Sequence, residues 1–148
     1  MYMKKRWSGL AFAVGALTLS AGALAAPPTA EMLVNACAGC HGVNGGSAGP
    51  SMPSLASQSK EAIVVAMKKF KSGERPSTVM GKLAKGYSDA DYAVMGELLS
   101  KQKLHATKQT LDAAKVARGR SLEEESCSRC HMEGGKEGKD DSPVMASQ

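Results

Sequence analysis

Aromatic residues are scarce: the 148-residue chain holds one Trp, three Tyr and two Phe, and beyond its first 25 residues only Phe70, Tyr87 and Tyr92 remain. A core this poor in aromatics needs another large apolar body to pack around. No stretch alternates apolar and polar residues for a strand's length, which excludes a sheet protein and leaves an all-α reading. No sustained basic stripe is present, so nucleic-acid binding is excluded. The one long apolar run, Trp7 to Leu19, falls short of the roughly 20 residues a membrane span needs. It follows the basic Lys4-Lys5-Arg6 and precedes Ala23-Leu-Ala25-Ala26-Pro27, the layout of a secretory signal peptide over residues 1–25, cleaved after Ala25 or Ala26. Cleavage removes three basic residues and no acidic one. The formal charge then falls from +5 to +2, with 16 basic against 14 acidic residues, and no membrane attachment is expected afterwards.

Cysteine is also rare, and all four copies fall in two pentapeptides, Cys37-Ala-Gly-Cys40-His41 and Cys127-Ser-Arg-Cys130-His131. Cys-x-x-Cys alone fits zinc sites, redox disulfides and structural staples. The histidine directly after both pairs, the export signal and the lack of a βαβ pattern favour another reading. Two thiols one helical turn apart form thioethers to one porphyrin, and the adjacent histidine ligates its iron: this is the attachment pattern of haem c. His41 and His131 are the expected proximal ligands of two haems. Covalent haem on an exported chain points to the periplasm.

The motifs lie 90 residues apart, and the same shift sets Met32 on Leu122 and Gly45 on Gly135. Two haem units in tandem are implied, over 26–103 and 111–148, joined by a polar linker at 104–110 in which His105 reads as a solvated residue. In the first unit Thr29 can cap a helix running through Cys37. A second helix runs from Ser59 to Phe70 with Ile63, Met67 and Phe70 on one face and stops at Gly73. A third starts at Ser88 with Asp91 three residues on, close to a capping box, and carries Tyr92, Met95 and Leu99 on one face. Gly96 leaves room for a crossing helix. In the second unit Leu111 to Ser126 is helix-compatible, although Gly119 costs about 1 kcal/mol in a helix interior unless it marks close packing.

A methionine on the second axial position raises a haem's potential and favours electron transfer. Met32, Met67 and Met95 sit on apolar helical faces and read as core. Met80 follows Pro76 on a loop, 39 residues beyond His41, and is the expected sixth ligand of the first haem, with Met52 in the loop Ser51-Met52-Pro53 as the other candidate. Pro50, in Ala48-Gly49-Pro50, is expected to offer the carbonyl that receives the other ring N–H of His41. Lys68, Lys69, Lys71, Lys82 and Lys85 surround these segments. They are either a solvated face or a docking patch that steers redox partners.

Taken together, Ala38-Gly-Cys40-His41-Gly, Ser47-Ala-Gly-Pro50, Phe70-Lys-Ser-Gly-Glu74, Ser77-Thr-Val-Met80-Gly-Lys-Leu-Ala-Lys-Gly-Tyr87-Ser and Cys130-His131-Met-Glu-Gly-Gly135-Lys resemble the dihaem cytochrome subunit of flavocytochrome c sulfide dehydrogenase, itself similar to cytochrome c4. The resemblance implies a class I c-type cytochrome domain followed by a second one. It implies His41 and Met80 as the axial pair of the first haem and His131 as proximal ligand of the second. It also implies an FAD-containing, sulfide-oxidising partner subunit, with electrons passing on to a soluble acceptor. The chain itself would be an electron conduit and not an enzyme. The alternatives are an independent c4-like carrier, or a catalytic or ligand-binding haem protein using an open second iron. Only 17 residues follow His131, against the 39 that reach Met80, so the second domain is expected to be incomplete and its haem exposed, five-coordinate or weakly held. Met145 reads as a surface methionine and not as its ligand.

Overall fold

The computed structural model describes residues 26–47, 49, 51–106, 110–146 and 148. The signal-peptide reading and Pro50 therefore lie outside the described residues, as do 107–109 of the expected linker. The described residues form helices α1 Ala30–Asn35, α2 Ala38–His41, α3 Lys60–Ser72, α4 Met80–Leu83, α5 Asp89–Ser100 and α6 Ala113–Ser126, with a short distorted turn at Met132–Gly135. A two-residue strand at Glu137–Gly138 bridges back to Met132 and His131. Among the described residues no helix is long and apolar enough to cross a membrane.

Each main helix begins where its capping chemistry allows. The Thr29 hydroxyl accepts from Met32 N–H, and Ser59 accepts from Ala62 N–H at 3.0 Å. Ser88 and Asp91 close a reciprocal capping box, satisfying two backbone donors at once. The Ser88 hydrogen bonds hold the Asp91 carboxyl below its usual range. Gly73 ends α3 in the left-handed region, φ +85°. The first expected helix is broken: α1 stops at Asn35 and the chain turns through Ala36 and Cys37 before α2, so the haem motif sits on its own turn.

Helices α3 and α5 pack against each other and α1 lies against α5. Leu33, Val34, Ile63, Met95 and Leu99 form the core, with Leu55, Met67, Tyr87 and Leu98 packed around them. Tyr92 is wholly buried and its hydroxyl donates to the Ala84 carbonyl. Met67 and Met95 are thus core residues, as their periodicity implies. Met32 is not: it is 64% exposed, because Leu33 and Val34 take the buried side of a helix of six residues. Leu122, which the 90-residue shift sets on Met32, is exposed to the same degree, 62%.

The close crossing at Gly96 is present. A Cβ built there would come within 2.9 Å of the Lys60 carbonyl oxygen and 3.1 Å of its Cα. Gly119 shows the opposite, with nothing within 4 Å, and α6 buries none of its residues. His105 is exposed, yet its ring lies on Gly46, where a Cβ would meet it at 2.9 Å. The linker reading of a solvent-exposed histidine holds, with one face of its ring on Gly46.

Gly96→Val should lower stability by about 1–3 kcal/mol, since backbone and not a flexible side chain opposes the new atoms. Gly119→Ala should raise it by up to about 1 kcal/mol by removing backbone freedom from an open helix. Denaturant unfolding of the two variants beside the parent protein checks both signs.

Candidate haem sites

The first site is built on the turn between α1 and α2. Cys37 N–H bonds to the Val34 carbonyl, and Cys40 and His41 N–H both bond to the Cys37 carbonyl, so the two thiols and the imidazole leave one helical turn. Cys40 is exposed and Cys37 half-buried. Burial, with the Cys40 sulfur nearby, pushes the Cys37 thiol above its ordinary value. Among the described residues no three of His, Cys, Asp and Glu gather as a metal site, so the four cysteines do not assemble one zinc centre and each pair stands alone.

His41 is buried, and its Nδ1 lies 2.8 Å from the carbonyl oxygen of Pro53. Donation there fixes the tautomer and leaves Nε2 as the atom with a free lone pair, the arrangement a metal-ligating histidine requires. The carbonyl belongs to Pro53, three residues beyond Pro50, to which the loop sequence pointed. Glycine 45 explains the offset. At φ +78° it turns the chain, and its carbonyl receives N–H bonds from Leu55 (2.7 Å) and Ala56 (3.0 Å), which pins Pro53 against the histidine. A Cβ at Gly45 would strike Leu99 at 2.8 Å and the Ala56 nitrogen at 2.9 Å.

The second site repeats the bonds that hold the histidine. His131 Nδ1 lies 2.8 Å from the Pro143 carbonyl oxygen. Cys130 and His131 N–H bond to the Cys127 carbonyl. Gly135 has φ +79°, and its carbonyl receives Met145 and Ala146 N–H, both at 2.8 Å. Proline 143 is Pro53 shifted by 90, and Met145 is Leu55 shifted likewise. Met145 lies two residues past the carbonyl that holds His131 and is 41% exposed.

Residues 29–107 match the Cytochrome c family. The chain belongs to the cytochrome c family. Its cofactor is accordingly haem c, bound covalently, and the two Cys-x-x-Cys-His motifs form two such sites. When bound, the group supplies one-electron exchange at iron; the protein supplies the cysteines, the oriented imidazoles and the apolar wall. A comparison with curated proteins returned no match. Two solved structures share the fold. Thiosulfate dehydrogenase (TsdBA) from Marichromatium purpuratum, in its as-isolated form, is 24% identical with a TM-score of 0.69, over 80% of this chain and 29% of that one. Reduced recombinant cytochrome c4 from Pseudomonas stutzeri is 25% identical with a TM-score of 0.66, over 78% of this chain and 69% of that one. The chain thus spans less than a third of the TsdBA chain. The family makes this a c-type cytochrome.

Met80 opens α4, half-buried, with its N–H on the Ser77 hydroxyl at 2.9 Å. Met52 stands 45% exposed, directly before the proline whose carbonyl holds His41. Of the lysines, Lys68 pairs with Asp89 at 3.0 Å and Lys69 with Glu74 at 3.6 Å. Lys71 donates to the Tyr87 carbonyl and lies over the Tyr92 ring. Lys82 and Lys85 are exposed on the segment that follows Met80.

Mass spectrometry of the chain matured in a haem-attaching host should show two haem additions. A Cys127→Ala/Cys130→Ala variant should show one, and a Cys37→Ala/Cys40→Ala variant should lose the other.

Proposed function

We propose that the chain is a periplasmic dihaem electron carrier that receives electrons from an FAD-containing sulfide dehydrogenase subunit and passes them to a soluble acceptor. The observation that carries the carrier role is the duplicated site: two histidines held alike on proline carbonyls 90 residues apart. Such orientation fixes the tautomer of a ligating histidine and raises its basicity. The sulfide partnership rests on the sequence segments Phe70–Glu74 and Ser77–Ser88, which form the end of α3, an exposed loop and α4. Export rests on the N-terminal leader.

In this reading Cys37 and Cys40 hold the first haem with His41 and Met80 on its iron, and Cys127, Cys130 and His131 hold the second. The choice of Met80 over Met52 is supported by position. Met52 is fixed beside the carbonyl that serves the proximal histidine, and a residue tied to that side is poorly placed to reach the opposite face. Exposed Val79 and Leu83 flank Met80, and apolar side chains standing out together around a ligand suit contact with a porphyrin edge. Lys82 and Lys85 add positive charge to the same segment, where an acidic partner surface would gain association rate.

Met80→Ala should abolish the methionine-to-ferric-iron charge-transfer band, lower the potential of the first haem and open its iron to carbon monoxide; Met52→Leu should do none of these. Absorption spectra with and without carbon monoxide decide between them. Sulfide should reduce the haems rapidly only when a flavoprotein subunit is added. Equal reduction rates with and without that subunit, followed by stopped-flow absorbance, would remove the partnership.

A further inference from the structure

The second unit docks on the first through two glutamines that exchange roles. Gln58 is 6% exposed, and its side-chain amide spans the backbone of Val144: Nε2 donates to the Val144 carbonyl at 3.0 Å, and Oε1 accepts the Val144 N–H at 2.8 Å. Gln148 does the same to Ser54, with Oε1 accepting the Ser54 N–H at 2.9 Å and Nε2 donating to the Ser54 carbonyl at 3.3 Å. Gln58 Nε2 also reaches the Ser54 carbonyl, at 3.4 Å. The 90-residue shift carries Ser54 onto Val144 and Gln58 onto Gln148. Gln58 therefore meets the counterpart of Ser54, and Ser54 meets the counterpart of Gln58, which is the signature of a two-fold contact, here made within one chain. The orientation of both amides is set by the backbone, since only Nε2 can face a carbonyl and only Oε1 an N–H.

Val144 is 3% exposed and Ser54 2%, so the backbone ends of these bonds are sheltered from water. Their place along the chain gives them a second consequence. The N–H of Ser54 and the carbonyl of Pro53 belong to one peptide group, and that carbonyl holds His41. The N–H of Val144 and the carbonyl of Pro143 likewise form one peptide group, and that carbonyl holds His131. A peptide whose N–H is engaged by an acceptor is polarised and becomes a stronger acceptor at its oxygen, by about 10–30% per bond in hydrogen-bonded chains. A stronger acceptor draws the Nδ1 proton away from the ring and makes Nε2 a better electron donor to iron.

We propose that Gln58 and Gln148 are crossed positioning residues. Gln148 strengthens the proximal histidine of the first haem and Gln58 that of the second, so each unit lowers the reduction potential of the other's haem. The proposal rests on His41 and His131 being the proximal ligands. Because Gln148 is the more exposed of the two, water competes for its bonds and its effect is the smaller.

The test uses the full dihaem protein carrying Gln58→Leu or Gln148→Leu, with potentials read by spectroelectrochemistry. Ligand-ring protons are read by paramagnetic NMR, in which the methyl signal of Met80 marks the first haem. Gln58→Leu should raise the potential of the second haem, move the His131 Nδ1–H resonance upfield and leave the first haem in place. Gln148→Leu should act on the first haem alone. Ser59→Ala is the control for loosened docking: it removes the bond from Ser59 Oγ to the Asp140 carbonyl at 3.1 Å in the same interface together with the α3 cap on Ala62 N–H, touches neither peptide, and should move neither potential. A shift confined to the mutated residue's own unit, equal shifts in both haems, or a Ser59→Ala shift as large as that of Gln58→Leu would overturn the proposal. Absence of shifted ring protons from His41 and His131 in the parent protein would strike the ligand assignment itself; their presence without crossed shifts would strike the glutamine role alone.

Discussion

One hydrogen bond, from His41 Nδ1 to the Pro53 carbonyl, organises the first half of the molecule. For that carbonyl to reach the ring, the loop after the motif must fold back on itself, and the positive φ of Gly45 with the paired N–H bonds of Leu55 and Ala56 accomplishes this. The returning loop then delivers Ser59 to cap α3. Helix α3 crosses α5 where Gly96 admits the Lys60 backbone, and the core closes over Leu99, which also contacts the Gly45 turn. Ligand orientation and core packing are thus one structure, and a change at the turn reaches both.

The repetition of this unit around His131 shows which parts of it are self-sufficient. Residues 127–146 bury almost nothing, yet they reproduce the cysteine turn, the positive-φ glycine, the double N–H clasp and the proline carbonyl. The bonds that orient the histidine are local to each loop. What the second unit takes from elsewhere is shelter: Val144 is buried because Gln58 and its neighbours cover it. The tail, too polar and glycine-rich to form a core, gains order by leaning on one already formed.

Much of the first unit was legible in the residues. Ser59, Gly73, Ser88 with Asp91, and the spacing of Tyr92, Met95 and Leu99 are signals whose cause is local, so periodicity and capping rules place α3 and α5 within a residue or two. Met32 misled because a six-residue helix has too few turns for periodicity to say which side is covered. Pro50 misled for a different reason: every residue carries a carbonyl, so nothing in a side chain marks the one that accepts. The Gly45–Gly135 match under the 90-residue shift was the available signal, since it pairs Pro53 with Pro143 and leaves Pro50 opposite an aspartate, Asp140.

The sequence by itself determined the cofactor chemistry, the all-helical class and the duplication, because these follow from residue identity and spacing within a few turns of chain. Only the tertiary structure decided which carbonyls hold the histidines and how the two units meet. The glutamine contacts join residues 86 and 94 positions apart, and an amide side chain carries no periodicity, charge or preferred partner by which such a pairing could be foreseen. Its partner is a backbone peptide, which any residue could supply, and only the folded path of the chain selects which one.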